Sequence, residues 1–263
     1  MSVLWNTLLV NPILNLLVVL YAVLGGNMGW AIVALTLLIR TLLIPVIVPS
    51  FKSMQKQRDI QPELKKLQEK YKYDKQKQAE EQMALFKKHG LNPASGCLSQ
   101  IVMILVLFAL YGVISRFTNG IDINAINQLI YFDALKFSTD TAINTQFFYL
   151  DLAKPDPYFA LPIIAGLFQL VSSKMMLPAV EKGEKLAKKT PDKSDDLAYN
   201  MQAQMLYLMP VMTTLFIFRL PSVIALYLVV TTVFSVVQQY FISGWGGMQS
   251  VINKFRKSAP STS

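Results

Sequence analysis

Apolar residues in this chain gather into uncharged blocks separated by stretches dense in lysine. Blocks over 28–50, 96–118, 158–177, 203–218 and 223–242 come close to the ~20 residues that cross a bilayer as a helix, and predict five spans. The block over 203–218 is short, and Pro210 interrupts its hydrogen-bond ladder, so a kink or a locally thin membrane is expected there. Residues 1–27 are apolar from Leu8 to Leu24 but include Asn11, Pro12 and Asn15, and end in "GGNMG". The two asparagines lie one turn apart on one face, which suits a helix lying at headgroup level; a sixth span is the alternative reading.

Between the first two blocks, residues 51–95 predict a helical hairpin. Leu64, Leu67 and Tyr71 recur at helical spacing, and Met83 with Phe86 forms a matching seam beyond "KYDK". Pro62 suits an early helical position and "HGLNP" a stop. A solvated charged linker is the plainer alternative. Residues 119–157 form a mildly acidic loop with Asp122, Asp133, Asp140, Asp151 and Asp156, to which the sequence assigns no chemistry. The loop 178–202, with "EKGEKLAKKTPDKSDD", is charged and poor in apolar residues, so it is expected to be mobile.

Charge orients the whole. Residues 51–95 hold eleven lysines and arginines, 174–201 hold six, and the tail 243–263 holds three, against four on the opposite side: Arg116, Lys136, Lys154 and Arg219. The excess of positive charge on cytoplasmic loops puts 51–95, 178–202 and the C-terminus in the cytoplasm.

Composition excludes several functions. Of 263 residues 53% are hydrophobic, with mean hydropathy +0.38, too apolar for an ordinary soluble domain. Cys97 is the sole cysteine and His89 the sole histidine, so no His/Cys metal cluster and no disulfide within the chain can form. "MSVLWNTLLVNP" has no basic leader and no small-residue cleavage site, so a cleaved signal peptide is not expected. "GEKLAKKT" lacks the glycine before lysine of a phosphate loop. No nucleophile–histidine–acid set can be assembled in the membrane, no cofactor is expected, and the chain does not read as an enzyme.

Arg40 stands inside the first uncharged block, twelve residues before Lys52 and so about 18 Å from it along a helix. Its guanidinium cannot snorkel that far. An arginine at mid-membrane costs about 2.5–3.5 kcal/mol on insertion scales, and no block holds an Asp or Glu to pair with it. Water is the remaining solution, in a cavity between helices open to the cytoplasm. Thr36 lies one turn before Arg40 on the same face. Gln100, Gln169, Ser172, Ser173, Thr213, Thr214, Tyr227, Thr231, Thr232, Ser235 and Gln238 are further polar positions in the blocks; serines and threonines there also bond their own backbone. A wet cationic pocket could hold an acidic ligand, pass an anion, sense voltage or receive a polar peptide. One arginine is too few for a voltage sensor, and a proton-coupled carrier would show intramembrane acids or histidine.

"TLLIRTLLIP", "QKQRDIQPELKKLQEKY", "DKQKQAEEQMALFKKHGLNPASGC", "FALYGVI", "DPYFALPIIAG", "LMPVM" and "LPSVIALYLV" followed by "QQY" resemble, in order and spacing, the YidC/Oxa/Alb membrane-protein insertases. The likeness runs from Asn11 to Tyr240, and the combination of Arg40 with Pro45, Asn92 to Cys97, and Met209-Pro210 carries it. The resemblance implies an all-α membrane protein: a five-helix transmembrane core around a hydrophilic groove, a cytoplasmic helical hairpin and an N-terminal interfacial helix. It puts Arg40 and Thr36 in the groove; Gln100, Gln169, Tyr227 and Thr231, read as polar positions of the blocks, are the other candidates. It makes Lys65, Lys66, Lys70 and Lys72 of the hairpin candidates for contact with clients or the ribosome.

The chain departs from the family where a glutamine and a proline become Met103 and Leu105, where Phe-Pro-Ser-Gly becomes Leu220-Pro221-Ser222-Val223, and where a tyrosine pair becomes Tyr227-Leu228. The expected function is insertion of nascent spanning segments into the bilayer, alone or with a Sec translocon. The expected setting is a bacterial inner or plasma membrane, with no sequence-specific nucleic-acid binding. The tail "KFRKSAPSTS" is short and predicts weak ribosome contact. An intramembrane chaperone or scaffold, and a small-anion channel or carrier, are the alternatives.

Overall fold

A computed structural model of the chain describes residues 2–91, 95–118, 123–138, 143–176, 208, 210–249 and 252–253. The expected loop 178–202, the first half of the block 203–218, Asn92 and Met209 lie outside the described residues. The chain divides into two compact units: 1–43 with 101–168 and 211–234, and 44–100 with 169–210 and 235–263.

The first unit opens with α1 (Ser2–Trp5), a π-helical turn (Asn6–Val10) and α2 (Asn11–Val23). Pro12 has no N–H and its ring crowds the carbonyl one turn back. The wider turn, in which the Asn11 N–H bonds the Asn6 carbonyl, is where the helix adjusts and continues. The face with Val10, Leu14, Leu17 and Val18 is buried against Met28, Ala31, Ile32 and Leu35 of α3 (Met28–Leu42). Ala109, Leu110, Val113 and Phe117 of the next long helix complete this core, with Val223, Ile224, Leu226 and Tyr227 of the last one.

In the second unit α4 (Ile44–Asp59) leads to α5 (Gln61–Lys70) and α6 (Lys75–Lys88). After α6 comes α7 (Ser95–Thr118), then the short α8 (Ile123–Asn127), strands β1 (Gln146–Phe147) and β2 (Leu150–Asp151), α9 (Ala160–Met176), a helical stretch at 210–217 and α10 (Ser222–Ser243).

The expected span 28–50 is not one helix. It breaks at Leu43, and α4 then runs on past Ser50 to Asp59. Pro45 supplies the reason, since its missing N–H and its ring deny the Thr41 carbonyl a helical partner. By length and composition Asn6–Val23 and Ser222–Ser243 can each cross a membrane, and Met28–Leu42 with Ile44–Ser53 would be a third, broken span. Ile104–Phe117 and Ala160–Met175 are shorter apolar helices. Residues 1–27 were expected at headgroup level, with a sixth span as the alternative; their helix is long and apolar enough to span.

Residues 119–157 are more than a loop. β1 and β2 pair antiparallel, Phe147 opposite Leu150. The hairpin and the residues after it then bond the starts of α3 and α10. The Asn27 side chain caps α3 by accepting from the Trp30 N–H at 3.2 Å, and its amide donates to the Gln146 carbonyl. Ser222 donates both its N–H and its hydroxyl to the Lys154 carbonyl, at 2.7 and 2.6 Å. The Val223 N–H goes to the Leu152 carbonyl. Asp156, buried, accepts from the Leu161 N–H in the first turn of α9.

Asn15 follows the same logic. It is buried, donates to the Leu129 carbonyl at 2.8 Å and accepts from the Tyr131 N–H at 2.7 Å. Asn15 thus ties α2 to this segment.

Helices α5 and α6 face each other through Leu64, Leu67 and Tyr71 on one side and Leu85 and Phe86 on the other, all half-buried. Met83 leaves the expected seam: it is 49% exposed, because the inward face of α6 passes through Gln78, Gln82, Leu85 and Phe86, one position round. His89 meets Glu63 at 3.2 Å and the Tyr71 hydroxyl donates to Glu81 at 3.5 Å, fixing the antiparallel register. Asp74 caps α6 by accepting from the Lys77 N–H. The helix ends in a paired reversal in which the Leu91 N–H bonds the Phe86 carbonyl and the Gly90 N–H bonds Lys87, with Gly90 left-handed at φ +61°.

Candidate functional site

Arg40 lies in the last turn of α3 and Thr231 in the middle of α10, both in the first unit. Arg40 retains only 4% of its surface exposed. Its Nη2 donates to the Thr231 carbonyl at 3.0 Å, and the guanidinium carbon stands 5.9 Å from the centroid of the Phe234 ring. That ring offers its negative face to the cation. Nε and Nη1 are buried without a hydrogen-bond partner, and among the described residues no carboxylate pairs with Arg40.

A guanidinium carries five N–H donors, so protein groups satisfy only a part of this one. A buried charged donor left unpaired is expensive. The arrangement suits a site that meets water or an anionic group.

The neighbours are polar and uncharged. Thr36, 1% exposed, donates its hydroxyl to the Ile32 carbonyl one turn back, so its hydrogen is committed to its own helix. Tyr227 is buried one turn before Thr231 on α10, within the field of Arg40 and next to the Thr231 side chain. The structure therefore brings Arg40, Thr36, Tyr227 and Thr231 into one unit. Gln169 belongs to the other unit and is half-buried, and the Gln100 side chain lies outside the description.

Sequence reading did not single out Phe234. Its position, three residues after Thr231 on α10, is the signal that could have found it. Nor did it name Gln239, 2% exposed, whose side-chain oxygen accepts from the Ser172 hydroxyl at 3.5 Å in the second unit. Gln238 beside it is buried with both amide atoms unpartnered.

On the hairpin, Lys66 and Lys70 are exposed, and Lys70 stands 5.1 Å from the Tyr71 ring. Lys72 is half-buried over Tyr73, whose own side chain is 94% exposed. The Lys65 side chain is outside the description. Among the described residues no cluster of His, Cys, Asp and Glu could hold a metal ion.

Comparison with known proteins adds a lineage. The family described as 60Kd inner membrane protein matches residues 19–248. Membrane protein insertase MisCA of Bacillus subtilis is 30% identical over 244 residues, which cover 91% of this chain and 79% of that protein. Membrane protein insertase YidC 2 of Bacillus anthracis is 32% identical over 244 residues, 91% of this chain and 81% of that one. Membrane protein insertase YidC of Wolinella succinogenes is 35% identical over 218 residues, 83% of this chain but only 34% of that longer protein.

Proposed function

This chain belongs to the 60Kd inner membrane protein family, among the YidC-type insertases, and on that premise we propose that it inserts nascent spanning segments into a lipid bilayer. The work is binding and release rather than bond-making, and no enzymatic step is needed. The observation that carries the mechanism is Arg40: buried, cationic, held by one backbone carbonyl, with two nitrogens unpartnered.

In this reading a groove wetted from the cytoplasm reaches Arg40, and Thr36, Tyr227 and Thr231 line it. A client's polar, often acidic N-terminal segment enters, drawn by a charge that acts strongly in a poorly polarisable surround. Water and hydroxyls spare that segment full desolvation. The apolar span then moves sideways into lipid, driven by burial of apolar area at ~25 cal/mol per Å². The basic hairpin, with Lys65, Lys66, Lys70 and Lys72, and the C-terminus face the cytoplasm. Clients arrive there from the ribosome or a Sec-type translocon.

The deciding experiment reconstitutes the purified chain alone in liposomes and scores protease protection of a short single-span client. Protection should appear without a translocon. Arg40→Ala should abolish it for clients with acidic tails more than for uncharged ones, and Arg40→Lys should retain much of it. Equal loss for both client types would sink the charge mechanism; no protection by the intact chain would sink the insertase reading itself.

A further inference from the structure

We propose that the segment after α7 is also a membrane anchor. The turn between β1 and β2 seats Phe148 and Tyr149, together with Tyr158 and Phe159 before α9, in the headgroup layer of the outer leaflet. The inference rests on the reading of α3 as a membrane helix whose first turn lies at the outer face.

Four observations converge on it. Phe148 and Phe159 are the two non-glycine residues with left-handed backbone among those described, at φ +54° and +56°. Bulky side chains avoid that conformation. Here it turns outward a Phe148 ring that is 80% exposed, while its neighbour Phe147 points in and is buried. A strained residue that presents an apolar ring to the outside calls for a partner that rewards it.

Depth is set by contact. Phe147 and Phe148 meet the ring of Trp30 edge-on, with centroids at 5.4 and 6.2 Å, and Trp30 sits in the first turn of α3. Trp30 is half exposed, and its helical face continues through the exposed Leu37 and Leu38. The Phe148 ring therefore caps the top of an apolar stripe of a membrane helix, level with the end of that helix. Tyr158, 73% exposed, leans on Tyr149 with centroids 5.5 Å apart, immediately before α9 begins.

The chemistry is interfacial. The tip "TQFFYL" (145–150) carries no charge. The nearest charges are engaged with each other, Lys154 with Asp151 at 3.2 Å, or caps α9 in the case of Asp156. Tyrosine and tryptophan, with an apolar ring and a polar atom, concentrate at headgroup level. A lipid surface, rather than a protein partner, is continuous with the stripe on α3.

The test uses the full chain in pure-lipid vesicles, in a Cys97→Ser background, with an environment-sensitive fluorophore on Phe148→Cys. Parallel samples carry it on Tyr158→Cys, should the first variant misfold, on Leu38→Cys in α3 and on Tyr73→Cys in the hairpin turn. Lipids bear nitroxide quenchers at shallow or deep positions, and iodide probes water. The proposal expects blue-shifted emission at 148 and 158 with strongest quenching by the shallow nitroxide, deep quenching at 38, and iodide quenching alone at 73. Labels at 148 and 158 that iodide quenches as it does 73, while 38 stays lipid-buried, would overturn the anchor and leave the membrane helix standing. An iodide-quenched label at 38 would overturn the reading of α3, and the anchor with it.

Discussion

The guanidinium of Arg40 hangs from the backbone of α10 by one hydrogen bond, Nη2 to the Thr231 carbonyl at 3.0 Å, and by contact with Phe234. A residue kept for stability would have more partners. Replacing a buried ion pair by apolar residues of similar volume is often neutral or stabilising by about 1–4 kcal/mol, and among the described residues Arg40 has not even a carboxylate partner to lose. Arg40→Met is therefore expected to hold or raise the thermal unfolding midpoint in detergent while client insertion falls. Midpoint and insertion falling together would make Arg40 a structural residue.

A second relationship concerns close approach. The Phe147 ring lies directly against Gly29, where a β-carbon would overlap it. Gly29→Ala should cost about 1–3 kcal/mol, as overpacked cores do. Phe147→Ala made in the same chain should remove most of that penalty, so a double-mutant cycle on unfolding midpoints should return a coupling of opposite sign to the single effect. Additive losses would mean that the helix shifts rather than clashes.

The turn at Gly90 offers a test confined to the hairpin. Its φ of +61° and the reversal around it close α6. Gly90→Ala should destabilise the end of α6 by about 1 kcal/mol. The readout is faster protease cleavage near Leu91, with the unfolding midpoint of the membrane helices unchanged.

Asp151 gives the segment 143–157 a pH response. Burial pushes its carboxyl up, but the Ala153 N–H, the Lys154 ammonium and the Thr145 hydroxyl outweigh that and hold it below the ordinary value. A carboxylate whose folded value is depressed stabilises above its unfolded value of ~3.9, and loses that contribution as pH falls through the folded one. Protease resistance of 143–157 should be flat from neutral pH down to about 4 and drop below it. Asp151→Asn should lose resistance at neutral pH and flatten the acid limb; an unchanged acid limb would assign the effect elsewhere, Asp133 with its Lys136 partner first.

These contrasts show what the sequence could carry. The mostly helical character was legible because apolar blocks and lysine runs are local signals, and so was the stop at Gly90, where one residue type meets one backbone need. The break at Leu43 was not read, although Pro45 announced it, because hydrophobicity scores a proline inside an apolar block as part of the block. To residues 119–157 the sequence assigns no chemistry beyond a mildly acidic character. Their Asn15–Leu129 and Ser222–Lys154 bonds join residues far apart in the chain, and no periodicity encodes them. At the site, the sequence singled out Arg40 by the cost of a charge among apolar residues. That cost says nothing about a backbone carbonyl as partner, which only the packing of α3 on α10 supplies.

Gln238 poses the same question as Arg40 without a charge. It is 8% exposed, and neither its amide nitrogen nor its oxygen has a partner, whereas Gln239 next to it bonds Ser172. An unsatisfied buried polar group costs about 1–3 kcal/mol, which a methionine of similar shape would not incur. Gln238→Met is therefore expected to raise the unfolding midpoint, while Gln239→Met, which strands the Ser172 hydroxyl, should lower it. If the amide serves a passing client, the stabilised Gln238→Met chain will insert less, and Gln238→Asn will recover part of the loss. A chain that gains stability and inserts as before would show that the Gln238 amide has no part in insertion.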